Sequence, residues 1–317
     1  MKLGFIISKS IGEKRVPLLP QHIKDFENEI YIEKGYGKDL GIEDYEYEKK
    51  GCKVLSKEKV FKECDGIFSL KVIKPEDYKY VKEGQVILGW VLPETAGKDF
   101  MEKQAIPKKL TIVNLDTINP CAYYQDKIIP VNWIKKNFIR KNSYMAGYSA
   151  VLHALMSHGM LPNSNTKVAI LGAGNVAQGS FNAISLFNSD IRMFYRKTMN
   201  EFLEDIGEYD LIINGIQIKT GDNIIITKKH LEKVKKGCLI IDSAANEDMV
   251  IEDIKYTNLE NPLYCKDGVY YYCVNNAPSI FYRESSKILS EGFSKYVFSK
   301  DIKAFLELRV VGVKREE

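Results

Sequence analysis

Val168-Ala169-Ile170-Leu171-Gly172-Ala173-Gly174-Asn175-Val176-Ala177 runs from an apolar stretch through two glycines into a segment with helical patterning. Gly172 permits a tight turn, Gly174 lets the backbone approach a pyrophosphate, and Ala177 is small enough for a helix to lie on the strand. The helix amino terminus offers free N–H donors and the positive end of its dipole to an anion. A Gly-x-Gly-x-x-Ala string alone is weak. Its place after a strand, opening a helix inside a β-α-β alternation, makes it a dinucleotide-binding motif. Gly172, Ala173, Gly174, Asn175, Val176 and Ala177 are therefore expected to hold a cofactor.

Upstream, Met145, Tyr148, Leu152 and Leu155 repeat at helical spacing within 143–159. Downstream, 191–195, 211–216 and 238–241 read as strands separated by helices, one of them near 228–234. A last strand is expected at 270–274, with helix beyond Pro278. Nearer the amino terminus, 3–7, 30–33, 53–55, 67–71, 86–91 and 111–114 read as strands, with helix-like stretches at 21–28 and 94–104. Turn chemistry at Asn119-Pro120 and 126–130 breaks that alternation. The pattern predicts an α/β fold of two Rossmann-like domains with parallel sheets. Because the final helix has no strand after it, the first domain is expected to be discontinuous, 1–134 plus 281–317 around 135–280.

The chain has 317 residues, enough for two domains with ample core and no need of a staple. Apolar residues make up 45% and charged residues 28%, and the net charge of +4 is too balanced to imply nucleic acid as a partner. The six cysteines show no C-x-x-C spacing, which predicts reduced, mostly buried thiols and neither a disulfide framework nor a metal site. No apolar run approaches the length of a membrane span and the amino terminus lacks signal-peptide features, so a cytoplasmic protein without a membrane partner is expected.

The end of the second strand after the glycine motif distinguishes NAD from NADP. Tyr195 stands where a carboxylate would hold the ribose 2′-hydroxyl, and Arg196, Lys197 and Thr198 follow. A 2′-phosphate wants such cations and repels a carboxylate, so Tyr195, Arg196, Lys197 and Thr198 are assigned to NADP(H). The other reading of this turn is a solvated basic surface. In the first half, Arg15 lies in the loop after the first strand, suited to bidentate carboxylate binding. Lys71 ends an apolar run, where partial desolvation lowers a lysine's pKa and suits it to proton transfer; the other reading of Arg15 and Lys71, each taken alone, is a solvated surface cation.

These segments together resemble the alanine dehydrogenase and transhydrogenase superfamily along nearly the whole chain. Glu13-Lys14-Arg15-Val16-Pro17-Leu18-Leu19-Pro20 resembles its E-x-R-V-x-x-x-P, and Gly35-Tyr36-Gly37 its Gly-x-Gly after the second strand. Leu70-Lys71-Val72-Ile73-Lys74-Pro75 is similar to K-V-K-E-P, with Lys71 and Lys74 competing for the lysine. Asn142-Ser143-Tyr144-Met145-Ala146-Gly147 is similar to M-S-x-x-A-G, and Tyr272-Cys273-Val274-Asn275-Asn276-Ala277-Pro278 to Y-x-V-x-N-x-P. The resemblance implies a substrate (catalytic) domain from both chain ends and a central nicotinamide-binding domain, here NADP-binding. It also implies that Arg15 and Lys71 bind the carboxylate and carbonyl of a 2-oxo acid, Lys71 being catalytic.

Two positions depart from the family pattern. Leu92 stands where the family's histidine should follow the strand 85–91, and Asn246 replaces the second aspartate of D-x-A-x-D in Asp242-Ser243-Ala244-Ala245-Asn246. None of His22, His153, His158 and His230 fits the vacant place. Short length and the NADP-type turn make the N5-(carboxyethyl)ornithine synthase branch the one the chain most resembles. The implied enzyme is an NADP-dependent oxidoreductase acting on CH–NH donors, which condenses pyruvate or a close 2-oxo acid with an ornithine or lysine side-chain amine and reduces the imine. Its expected partners are these small molecules and further copies of the chain. Alanine dehydrogenase-type and saccharopine dehydrogenase-type reactions, and a catalytically silent NADP-binding protein, stay open.

Overall fold

A computed structural model describes residues 1–218, 222–245 and 249–311. The chain forms two compact units, Met1–Ile139 with the segment from Tyr282 onward, and Arg140–Phe281. The divisions fall at 139/140 and 281/282, where the sequence reading put 134/135 and 280/281.

In the first unit the strands are β1 (Lys2–Phe5), β2 (Glu29–Glu33), β3 (Lys53–Leu55), β4 (Gly66–Ser69), β5 (Val86–Gly89), β6 (Thr111–Asn114), β7 (Cys121–Tyr124) and β8 (Lys127–Pro130). Their spatial order is β3-β2-β1-β4-β5-β6-β7-β8. The first six of these run parallel. Strand order reverses about β1, so a crevice is expected at the carboxyl ends of β1 and β4. Every residue of β4, β5 and β6 is buried, which is why they read as continuous apolar runs without alternation. The carboxyl-terminal segment supplies part of this core. Phe298 meets Phe5 and Phe68 at ring-centroid distances of 4.8 and 4.9 Å, and Phe293 meets Phe68 at 5.1 Å.

In the second unit β9 (Lys167–Leu171), β10 (Asp190–Phe194), β11 (Leu211–Asn214), β12 (Leu239–Asp242), β13 (Leu263–Lys266) and β14 (Val269–Tyr272) are ordered β10-β9-β11-β12-β14-β13. The helices Arg140–His158 and Asn175–Ser185 cross where both carry glycine. A methyl group on Gly147 would collide with the Val176 carbonyl oxygen, and one on Gly179 with that of Tyr144. Backbone meets backbone there, so no rotamer change relieves the clash. Gly179→Ala should therefore destabilise the second unit by about 2–3 kcal/mol and lower its melting midpoint by roughly 5–10 °C. Helix propensity alone predicts stabilisation by about 1 kcal/mol, so a raised midpoint by calorimetry would show that the crossing is looser.

The expected α/β fold with mainly parallel sheets is present, with antiparallel strands at the edges: β7 and β8 form an antiparallel hairpin on the first sheet, and β13 runs antiparallel to β14 on the second. Three expectations are corrected. Of the stretches read as turn chemistry, 119–120 precedes the hairpin and 126–130 is mostly its second strand, the tight turn being accommodated by Gln125 at φ +56°. Residues 21–28 are not a helix beyond the single turn Pro20–His22. There the Asn28 side chain binds Lys300 O at 2.8 Å and Ile302 N at 3.1 Å, and these tertiary bonds outweigh local propensity. Finally, β4, β5 and β10 end at Ser69, Gly89 and Phe194, leaving Lys71, Trp90 and Tyr195 in the loops beyond.

Candidate functional site

In the first unit, β1 delivers Glu13 and Arg15, β4 delivers Lys71, β5 delivers Trp90 and β6 delivers Asp116. The Arg15 guanidinium grips Glu13, with Nε 2.7 Å from Oε1 and Nη2 2.5 Å from Oε2, and the Arg15 backbone N–H adds a bond of 3.0 Å. Both side chains are about 1% exposed. Lys71 Nζ lies 4.0 Å from Glu13 Oε2. Trp90 forms the floor, its ring 4.8 Å from Arg15 Cζ and 4.9 Å from Lys71 Nζ. Lys74 is exposed and caps the turn Pro75–Tyr80, apart from this group.

The electrostatics follow from that crowding. Burial pushes the Lys71 ammonium down to about 8, helped by the Arg15 charge and opposed by Glu13 and Asp116. Glu13 sits below its ordinary value: burial acts to raise it, but the Arg15 hydrogen bonds and charge and the Lys71 charge outweigh that. The loop that carries Glu13 and Arg15 is pinned near its start. Glu33 accepts the Ile7 N–H at 2.7 Å, and Lys57 bonds Asp77 at 3.2 Å and Ile7 O at 3.4 Å.

Leu92, at the place of the family's histidine, has φ +50°, in the left-handed region that histidine and asparagine enter more readily than leucine. The four histidines serve elsewhere. His22 Nδ1 lies 2.8 Å from Ser290 Oγ, His153 Nδ1 3.1 Å from the Tyr272 hydroxyl, and His230 Nδ1 accepts the Thr227 N–H. The His158 ring meets Tyr270 edge to face at 4.6 Å.

In the second unit Gly172 turns the chain at φ +102° after β9, a conformation that side chains disfavour. Gly174 precedes the helix Asn175–Ser185 with no side-chain cap, and a Cβ there would meet open space. Ala177 faces Gly215 so closely that a Cβ on Gly215 would fall 2.8 Å from the Ala177 Cβ. A pocket of about 590 Å³ opens beside this turn, lined by Gly172, Ala173, Tyr195, Arg196, Ile216 and Asp222 among others. Of the sequence-assigned residues after β10, Tyr195 and Arg196 line it. Lys197 is exposed and does not, and the Thr198 hydroxyl accepts the Tyr195 N–H at 3.0 Å. Asp242 is 2% exposed and organises the turn after β12, accepting from Asn214, Ala244 and Ala245 at 2.9, 3.1 and 3.1 Å. Asn246 lies outside the described residues.

Glu13, Trp90, Asp116 and Asp222 were missed by the sequence reading. Trp90 and Asp116 sit one and two residues past the ends of parallel strands, and Glu13 lies farther along the loop after β1, a signal that marks ligand-facing loops but requires the strand ends to be known. Asp222 carries no motif of its own. Among the described residues no group of three or more histidine, cysteine, aspartate or glutamate side chains could hold a metal ion, and no helix is long and apolar enough to cross a membrane. The six cysteines are unpaired with one another, four of them buried.

A glycine-cradle nucleotide fold joined to a second α/β unit that displays an arginine–lysine pair defines an enzyme of oxidoreductase type. Family models described as alanine dehydrogenase/PNT, N-terminal and C-terminal domains, match residues 8–125 and 180–308. The chain belongs to the alanine dehydrogenase/PNT family. It is 57% identical over 308 residues to an N(5)-(carboxyethyl)ornithine synthase of Clostridium botulinum, covering 97% of each chain. It is 49% identical over 309 residues to one of Lactococcus lactis, covering 98% of this chain and all of that one. Among solved structures, an L-alanine dehydrogenase superposes with TM-score 0.77 at 19% identity, covering 98% of this chain and 92% of that one. A transhydrogenase from Sinorhizobium meliloti gives 0.76 at 17%, covering 97% and 95%; both show the shared fold.

Proposed function

We propose that this enzyme uses NADPH to condense pyruvate, or a close 2-oxo acid, with the side-chain amine of an amino acid such as ornithine or lysine. The observation that carries the reading is the Glu13–Arg15–Lys71 group over Trp90 in a chain so similar to enzymes named for that product. Arg15, fixed by Glu13, brings positive charge to the oxo-acid carboxylate. Lys71, protonated, donates a hydrogen bond and then its proton to the carbonyl oxygen, which favours amine attack and later loss of water. Trp90 excludes water beneath the two cations.

The second unit's residues fit a dinucleotide. Gly172, Gly174 and the free N–H groups opening the helix Asn175–Ser185 suit the pyrophosphate, and the 590 Å³ pocket suits the adenosine end. Arg196 on the wall of that pocket would take the 2′-phosphate, with Lys197 adding charge from outside. When bound, NADPH supplies the hydride that reduces the imine.

NADPH should bind at least tenfold tighter than NADH, about 1.4 kcal/mol, and Arg196→Ala should weaken NADPH far more than NADH. Fluorescence titration of both nucleotides measures this, and equal affinities would remove the NADP assignment. The reaction itself is tested by mass spectrometry of products from NADPH, pyruvate and a panel of amino acids. Turnover with ammonium and pyruvate alone would indicate alanine dehydrogenase chemistry instead, and preference for 2-oxoglutarate a saccharopine-type reaction.

A further inference from the structure

The sheet register brings one further titratable side chain to the ends of the strands that carry Lys71 and Trp90. Ser69, Gly89 and Asn114 form one row across β4, β5 and β6. Lys71 and Asp116 each lie two residues past that row on strands separated only by β5, and Trp90 lies one residue past it between them. Adjacent strands are about 4.8 Å apart, so the ends of β4 and β6, which Lys71 and Asp116 follow, stand roughly 10 Å apart, a gap that suits a small oxo acid and an incoming amine.

Asp116 is exposed, and its N–H is steadied by Asn114 Oδ1 at 3.4 Å. The charged groups that act on it are Lys71 and Arg15, the same two that act on Glu13. Protein atoms set around the carboxyl hold it above the ordinary carboxylate value against those two cations. It is therefore a carboxylate that solvent reaches, crowded by protein atoms and within the electrostatic reach of the carbonyl-activating pair Lys71 and Arg15.

We propose that Asp116 is the catalytic residue that receives the amine substrate: its carboxylate binds the side-chain ammonium and accepts one proton from it. The nitrogen lone pair so freed forms the C–N bond to the carbonyl carbon. The carbonyl π pair moves to oxygen, which takes the Lys71 proton, and Asp116 returns its own to solvent. This assignment rests on the reductive-condensation reading. It also gives the site a preference for amines that are cationic in solution.

The test uses the whole 317-residue chain with NADPH, pyruvate and ornithine. Asp116→Asn should lower kcat/KM for the amine at least 100-fold near neutral pH, within the range of general acid–base groups, while NADPH affinity stays within twofold. The deficit should shrink as pH rises toward the amine's own pKa, because the nucleophile then arrives already deprotonated. Asp116→Glu should recover part of the loss. An Asp116→Asn enzyme within threefold of the parent, or one whose deficit is the same at every pH, would overturn the assignment. If the parent itself yields no product with any oxo acid and amine, the reductive-condensation reading fails, and calorimetric binding of ornithine to the NADPH complex then decides on Asp116 separately. Binding weakened at least tenfold by Asp116→Asn supports it; equal binding, or none in the parent, overturns it.

Discussion

Lys71→Met should lower the condensation rate by about 10²–10⁴-fold and leave NADPH binding intact. Methionine keeps the length and apolar stem of the side chain over Trp90, so the floor of the site persists and only the proton donor is lost. The exposed Lys74 makes no contact with Glu13 or Trp90 among the described interactions, and Lys74→Met should do much less. The pH dependence follows from the same burial. Because the Lys71 ammonium is pushed down to about 8, its proton is available below that pH and is lost as pH rises through it. In protein carrying ¹³C-methylated lysines, one resonance should titrate near pH 8 and be missing from Lys71→Met. Parent-like activity in Lys71→Met with an inactive Lys74→Met would move the role to Lys74. Two parent-like variants would end the proton-donor scheme.

Arg15→Ala should act twice. Glu13 and Arg15 are both about 1% exposed, so removing the guanidinium takes from a buried carboxylate the cation that grips it and leaves Lys71, 4.0 Å away, as a more distant one. Such breakage costs about 3–5 kcal/mol, which should lower the first unit's melting midpoint by roughly 10 °C. The double variant Glu13→Gln, Arg15→Gln removes both charges and should regain most of that stability. It should still raise the Michaelis constant for the oxo acid roughly 10–100-fold, the worth of a charge-assisted hydrogen bond, with NADPH affinity unchanged. Arg15→Lys should rescue poorly, because an ammonium cannot reproduce the planar fork that holds Glu13. A stable double variant with parental oxo-acid kinetics would make the pair purely structural.

Much of this was legible along the chain because the information is local. The strand–glycine–helix run at 168–177 needs only its own residues: Gly172 must take positive φ, and Ala177 must be small against the strand beside it. Arg15 and Lys71 were legible as residues following apolar strands, and Tyr195-Arg196-Lys197 by its count from Gly172. The extent of the elements was less so. Expected strands ran two residues past β4 and β5, because apolar residues such as Leu70 and Val91 continue into buried loops. Periodicity does not separate a buried strand from the buried turn after it.

The amino-acid sequence by itself determined the two α/β units, the nucleotide cradle and the family, all of which depend on residues near one another in the chain and on spacings that backbone geometry imposes. Only the tertiary structure decided which side chains share a site. Glu13, Arg15, Lys71, Trp90 and Asp116 come from four parallel strands, and their meeting depends on strand order and register, set by long-range pairing across β1, β4, β5 and β6. The edge hairpin β7–β8 and the unwinding of 21–28 were decided at the same level. In both, hydrogen bonds to partners outside the segment override local preference.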